Sequence, residues 1–131
     1  MNDAQIEEIK ERIGPLINRW VRPLGLMWWN IDVEYHRENR PDDPDCAMDC
    51  AVRWEYMRAI IGVYPSAHSM ADERLEASFL HELQHIFLNE TREWERGNAM
   101  HHEEHVAQMY TKAFLWLRDH LTQNTETQNG I

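Results

Sequence analysis

Two histidines and one glutamate share a short stretch of the sequence, FLHELQHIFLN at residues 79–89. His81 and His85 are four positions apart, so on a helix they lie about 40° apart and one turn from each other. Two imidazoles at that spacing can contact one metal ion, and zinc binds neutral imidazole nitrogen. Glu82 lies about 100° around the helix from His81, where its carboxylate can take a proton from a water molecule at the metal. The His-Glu-x-x-His spacing therefore predicts one catalytic zinc ion with Glu82 as general base.

The competing interpretation is an ordinary helix that carries polar residues on its solvent face. The same segment has an apolar stripe with helical spacing, which predicts a face buried in a core. The members of that stripe are Leu75, Phe79, Leu83, Ile86 and Phe87. His81 and His85 lie outside the stripe, on another face, as a metal site would require.

A third protein ligand is expected on the next helix, which opens with HHEEH at residues 101–105. If the apolar side of that helix is taken as buried, Glu103 and His102 point inward and Glu104 points outward. Glu103 is therefore the preferred third ligand, and Glu104 is the alternate. His102 remains open as a fourth contact, a proton donor or the third ligand itself.

Local patterns predict the elements that would position these residues. An amphipathic helix is expected at residues 3–21, and a capping box at Ser69 and Asp72 predicts a second helix over 70–88. Alternating apolar residues predict three strands between them, at 27–36, 46–56 and 57–65. A short link at 55–57 predicts that the last two strands form a hairpin.

The last helix is expected at residues 99–121, with a stripe that includes Val106, Met109, Phe114 and Leu117 facing the core. Residues 122–131 are polar and are predicted to be a disordered tail. The fold is thus expected to be α+β: an N-terminal helix, a three-stranded mostly antiparallel sheet, the His-Glu-x-x-His helix and a ligand-bearing C-terminal helix. We expect one zincin-like domain over residues 1–121.

Composition limits the classes of partner. The chain has 131 residues and a net charge of −10, which argues against nucleic acid and against an anionic membrane surface. The sequence shows no signal peptide and no apolar run of membrane-spanning length, so a cytoplasmic location is expected. The sequence does not predict an oligomeric state.

HELQH followed by a helix that carries Glu resembles the gluzincin branch of the zincin metallopeptidases. The segment RAIIGVYPSAHSMADERLEASFLHELQHIFL, residues 58–88, is similar to the strand and active-site helix of small ImmA/IrrE-type and phage-encoded peptidases. The resemblance implies zinc held by His81, His85 and a downstream Glu, with Glu82 as general base and a protein or peptide as substrate. SprT-like proteases are a more distant match, in which a His, here His101 or His102, replaces that Glu.

An oxyanion donor besides zinc is expected for peptide hydrolysis, and His102, His68 and Tyr110 are the candidates. The resemblance also implies that an edge strand pairs with an extended substrate, and we expect residues 57–64 to be that strand. Two other functions compete with the peptidase. One is a non-catalytic binding or regulatory module on the same fold, and the other is a structural zinc site closed by four ligands.

Overall fold

The computed structural model describes residues 1–94 and 99–129 of the chain, with side chains described at 1–89 and 103–121. In these described residues, four helices and three strands follow one another in an α+β order, which confirms the predicted fold class. They are α1 (Asp3–Trp20), β1 (Asn30–Tyr35), β2 (Met48–Arg53), β3 (Arg58–Val63), α2 (Pro65–His68), α3 (Asp72–Trp94) and α4 (Ala99–Asn129). No helix in the described part of the chain combines the length and apolarity needed to cross a membrane.

The sheet is mixed, with the strand order β1-β3-β2. β2 and β3 form the predicted antiparallel hairpin, joined by a short 3-10 turn over Trp54–Tyr56. β1 pairs with β3 in parallel, so the expectation of a mostly antiparallel sheet is correct for one ladder and wrong for the other. β3 is therefore the central strand. The connection between β1 and β2 carries the chain across the position of β3 to the opposite edge of the sheet.

One face of the sheet packs on the helices and the other faces solvent. Along β3 the inward residues Ala59, Ile61 and Val63 are buried at alternate positions, as the period of a strand requires. On β1 the predicted inward set, which includes Ile31 and Val33, packs against this core. Burial of such aliphatic side chains contributes about 1.5–3 kcal/mol each, so this face provides much of the stability of the fold.

The helix α3 lies at the centre of the molecule, because it contacts α1, β2 and α4. Its predicted apolar stripe is confirmed at Leu75, Phe79, Leu83 and Ile86, all at most 1 % exposed, and Phe87 packs partly buried against the same core.

Three helix boundaries differ from the prediction, and one of them is the end of α3, which lies at Trp94 and not at residue 88. α3 begins at Asp72 and not at residue 70, and the Ser69 hydroxyl donates to the carbonyl of Ser66. The expected capping box is therefore wrong, because the short helix α2 uses Ser69 for its own end. α4 continues past residue 121, where the prediction ended it, to Asn129.

Candidate metal centre

The two histidines of α3 converge on one point, as the helical spacing predicted. Nε2 of His81 lies 3.1 Å from Nε2 of His85, and the ring planes are nearly perpendicular at 79°. His85 is 5 % exposed, and His81 is half-buried. Burial holds the pKa of His81 below its usual value, which favours the neutral imidazole that binds metal ions.

Glu104 on α4 completes the group. Its Oε2 lies 3.0 Å from Nε2 of His81, and its Oε1 lies 2.8 Å from Nε2 of His85. One ligand atom from each of the three residues falls within 4.8 Å of the others, so the group could hold a metal ion. Among the described side chains, His81, His85 and Glu104 are the residues that form such a group.

The donor set and spacing suit a small divalent cation. Ligand atoms about 2.0–2.1 Å from a tetrahedral zinc lie about 3.3 Å from one another, and the observed separations of 2.8–3.1 Å are slightly shorter. Two imidazoles and one carboxylate also leave a fourth position for water, as catalytic zinc sites do. The residues present therefore fit zinc.

Glu103 holds the other side of His85. Its carboxylate is 1 % exposed and accepts a hydrogen bond from Nδ1 of His85 at 2.6 Å. With the ring proton on Nδ1, the lone pair of Nε2 faces His81 and Glu104. Nε2 of His85 and the Glu104 oxygen are then both electron-pair donors, so their close approach requires a second proton or a cation between them.

The preference for Glu103 as third ligand does not fit this geometry, because Glu103 lies at the opposite ring nitrogen from the group. The prediction took the apolar stripe of α4 as its buried face. The structure buries Glu103, Ala107 and Thr111 instead, at a spacing of four, while Met109 and Leu117 are 56 % and 45 % exposed. α4 is thus rotated relative to the assumption, and the rotation brings Glu104 to the histidines.

A buried polar contact helps to set this rotation. Nε2 of Gln84 on α3 donates to Oγ1 of Thr111 at 2.5 Å, and the Thr111 hydroxyl donates to the carbonyl of Ala107 at 2.8 Å. Gln84 is 0 % exposed, so separating these groups would leave a buried amide without its partner. The contact therefore favours one alignment of α4 on α3.

Glu82 lies beside the group, where the sequence placed it. Burial, together with the nearby carboxylates of Glu104 and Asp49, raises the pKa of Glu82 to about 8. Such a carboxyl holds a proton more readily than a solvated one, which suits a group that receives a proton and passes it on.

Two clefts meet at Glu82. One, of about 410 Å³, is lined by residues that include Ser78, His81 and Gln108. The other, of about 330 Å³, is lined by Arg40, Asp49 and His85. Cys46, Met48, Glu82 and Glu104 line both, so the clefts form one path past the candidate metal position.

The strand beside this path is β2, and not the predicted segment 57–64. β3, which covers most of that segment, has β1 on one side and β2 on the other, so both of its edges are already paired. β2 is one of the two edge strands, and its residues Met48, Asp49 and Cys50 line the smaller cleft. The expectation for 57–64 is therefore wrong.

Two of the predicted oxyanion donors lie away from the clefts. His68 on α2 contacts Glu8 of α1 at 3.0 Å, and Tyr110 on α4 is 45 % exposed and packs near Phe114. Neither lines either cleft. His102, the third candidate, is outside the residues whose side chains the structure describes.

Arg40 and Asp49 are cleft residues that the sequence analysis did not identify. Nη1 of Arg40 lies 3.3 Å from Oδ2 of Asp49, and the same oxygen accepts the Tyr64 hydroxyl at 2.8 Å. Burial, the hydrogen bond to Asp49 and its charge raise the pKa of Tyr64 to about 12, so the phenol keeps its proton. Arg40 comes from a polar loop and Asp49 from a strand, so no local spacing could have linked them.

Comparisons with known proteins return no match: no family model fits the chain, and neither a curated protein nor a solved structure is significantly similar to it.

Proposed function

We propose that this protein is a zinc-dependent peptidase that hydrolyses peptide bonds with Glu82 as general base. The observation that carries the proposal is the position of Glu82 in the wall shared by two clefts, directly beside the His81–His85–Glu104 group. Among sites with two imidazoles and one carboxylate, an adjacent unliganded carboxylate is the feature that a hydrolase needs and a structural site does not.

His81, His85 and Glu104 would hold the ion, and Glu103 would orient His85 through Nδ1. When bound, zinc supplies Lewis acidity, which polarises a carbonyl and acidifies water. Glu82 takes the water proton and delivers it to the leaving amine, so its carboxylate acts first as base and then as acid. Its raised pKa reduces the cost of holding that proton between the two steps.

An extended peptide would lie along the free edge of β2, which passes both clefts. Backbone pairing with an edge strand aligns a substrate without reading its side chains, and the clefts on either side of Glu82 would receive those side chains. Arg40 is the arginine among the residues that line the smaller cleft together with Glu82 and Glu104.

The test combines metal analysis with proteolysis of an unstructured protein. Wild type is expected to bind about one zinc per chain and to cleave, while His81→Ala loses both properties. Glu82→Gln should retain zinc and lose about 10²–10⁴-fold in cleavage rate. Glu7→Gln makes the same charge change at a side chain that is 71 % exposed on α1, and it should cleave like wild type.

Equal cleavage by wild type and Glu82→Gln would refute the catalytic role. Stoichiometric zinc without any cleavage would instead favour a recognition module or a structural site. Absence of zinc from protein purified and assayed with zinc supplied would refute the metal site itself.

A further inference from the structure

The two histidines of the candidate metal group differ at Nδ1, the ring nitrogen that takes no part in the group. Nδ1 of His85 has the buried carboxylate of Glu103 as its acceptor. Nδ1 of His81 is also buried, but it has no hydrogen-bond partner among the described residues. A histidine that binds a metal ion usually donates its other ring N–H to an acceptor, which fixes the ring. His81 therefore needs a partner that corresponds to Glu103.

Gln108 on α4 shares a cleft with His81. Both side chains line the larger cleft, of about 410 Å³, and neither lines the smaller one. Gln108 follows Glu104 by four positions, so it lies one turn farther along the same face of α4. Glu104 itself contacts Nε2 of His81 at 3.0 Å, so the side chain one turn away is close to the same ring.

The direction of α4 places that turn on the side of His81 and not of His85. α4 runs antiparallel to α3, because Glu103 near the start of α4 contacts His85. Farther along α4, Arg118 contacts Glu76, which lies near the start of α3. One turn toward the C-terminus of α4 therefore leads toward the N-terminus of α3, where the first of the two histidines lies.

The amide of Gln108 acts on the His81 ring. Burial is the main cause of the lowered pKa of His81, and hydrogen bonding to Gln108 is one of the smaller effects that oppose it. A neutral amide favours a protonated ring through its oxygen, because the oxygen accepts a proton from a ring nitrogen. An acceptor for this ring is thus present on α4.

We propose that Gln108 is the positioning residue of His81, whose Nδ1–H donates to the Gln108 amide oxygen when Nε2 binds a metal ion. The role matches that of Glu103 at His85, but Glu103 is a buried carboxylate and Gln108 is an exposed neutral amide. Because hydrogen bonds to charged acceptors are the stronger ones, His81 is the less firmly held of the two histidines. The inference rests on the metal site of the proposed function, and it does not require hydrolysis.

Zinc affinity, measured by competition with a fluorescent chelator, tests the role. Gln108→Met keeps the length of the side chain and removes the acceptor, so the affinity should fall about tenfold. Gln108→Glu supplies an acceptor again and should bind zinc at least as tightly as wild type. Ser78→Ala is the matched control, because Ser78 lines the same cleft three positions before His81, and it should keep the wild-type affinity. Helical circular dichroism should be the same for the Gln108 variants, since this side chain is exposed.

Nitrogen-15 NMR of the imidazole rings gives a readout that a general disturbance of the site would not produce. In zinc-loaded wild type the Nδ1 proton of His81 should exchange slowly with water, and in Gln108→Met it should exchange faster. The Nδ1 proton of His85 is the internal control, because Glu103 is its acceptor, and its exchange should be the same in both proteins.

The outcomes separate this inference from the peptidase proposal. Wild-type zinc affinity in Gln108→Met, or unchanged exchange of its His81 proton, would refute the role of Gln108 and leave the peptidase proposal untouched. An equal loss of affinity in Ser78→Ala would refute the role as well, because the effect would then belong to the cleft. A selective loss in Gln108→Met supports the role even if wild type cleaves no protein, a result that refutes the peptidase alone. Wild type that binds no zinc would refute both.

Discussion

The buried carboxylate of Glu103 lies 2.6 Å from Nδ1 of His85. This contact sets the tautomer of the ring that takes part in the candidate metal site, and it uses the residue that the sequence favoured as a ligand. Glu104, its neighbour along the chain, is the carboxylate that joins His81 and His85 in the group that could hold a metal ion. Consecutive residues on a helix point about 100° apart. Glu103 can therefore contact Nδ1 of the His85 ring while Glu104 contacts Nε2 of the same ring.

Substitution at these two glutamates should separate their roles. Glu103→Gln keeps an acceptor for Nδ1 but removes the negative charge, so zinc affinity should fall about 10–100-fold. Glu104→Gln removes the ligating carboxylate and should weaken zinc binding more. Competition with a fluorescent chelator measures both affinities. A larger loss for Glu103→Gln than for Glu104→Gln would return Glu103 to the ligand position.

Metal removal should lower the stability of the fold. A ligand that binds the native state at about 100 times its dissociation constant stabilises it by about 2.7 kcal/mol. For a chain of 131 residues this corresponds to about 10 °C in the unfolding midpoint. Calorimetry with zinc and after chelation measures the shift. His85→Ala should unfold at one temperature in both conditions, and a zinc-dependent shift in that variant would place the metal elsewhere.

Gly62 in β3 should not tolerate a side chain. A Cβ atom at this position would lie 2.3 Å from Oδ1 of Asp49 on the paired strand. Gly62→Ala should therefore destabilise the protein by about 1–3 kcal/mol and displace the carboxylate that holds Arg40 and Tyr64.

Gly14 is the comparison for that substitution, because it lies in α1 and a Cβ there would have no atom within 4 Å apart from its chain neighbours and the backbone of its own helix. Gly14→Ala should change stability by less than about 1 kcal/mol, because the better helix propensity of alanine is opposed by the steric restriction that Pro15 places on the residue before it. Urea denaturation of both variants gives the comparison, and equal stability changes would contradict the close approach at Gly62.

Glu76 should contribute stability that depends on pH. Its burial favours the neutral acid, but hydrogen bonds from Trp20, Arg118 and Arg19 outweigh burial and hold the pKa of Glu76 below its usual value. A lowered pKa in the folded state means that the stabilisation is present above the unfolded pKa, near 4.5, and is lost as pH falls through the folded pKa.

Glu76→Gln should therefore cost about 2 kcal/mol at neutral pH and less at acidic pH, where protonation of Glu76 progressively removes the same interaction from wild type. Urea denaturation at pH 7 and at pH 3 measures the difference. The exposed Glu7→Gln should change stability little at either pH. A cost for Glu76→Gln that stays the same at both pH values would show that the charge is not involved.

Local sequence patterns were enough for the elements and for half of the candidate site. The apolar stripe of α3 has one strongly periodic face, so its burial and the position of His81 and His85 outside that stripe followed from helical geometry. The β2–β3 hairpin followed in the same way from two alternating runs and a short link. Each of these features depends on residues that are close together in the chain.

The face of α4 could not be read from its sequence, because the helix is apolar around most of its circumference. Two stripes competed for the core, and the contact between Gln84 and Thr111, 27 positions apart, favours the one that contains Ala107. The same reason applies to the sheet, where the parallel pairing of β1 with β3 decided which edge stays free. The sequence by itself determined that two histidines and a glutamate would share one face of a helix. Only the tertiary structure decided which carboxylate joins them and which strand passes beside them, because both depend on long-range packing between elements whose local patterns allow more than one arrangement.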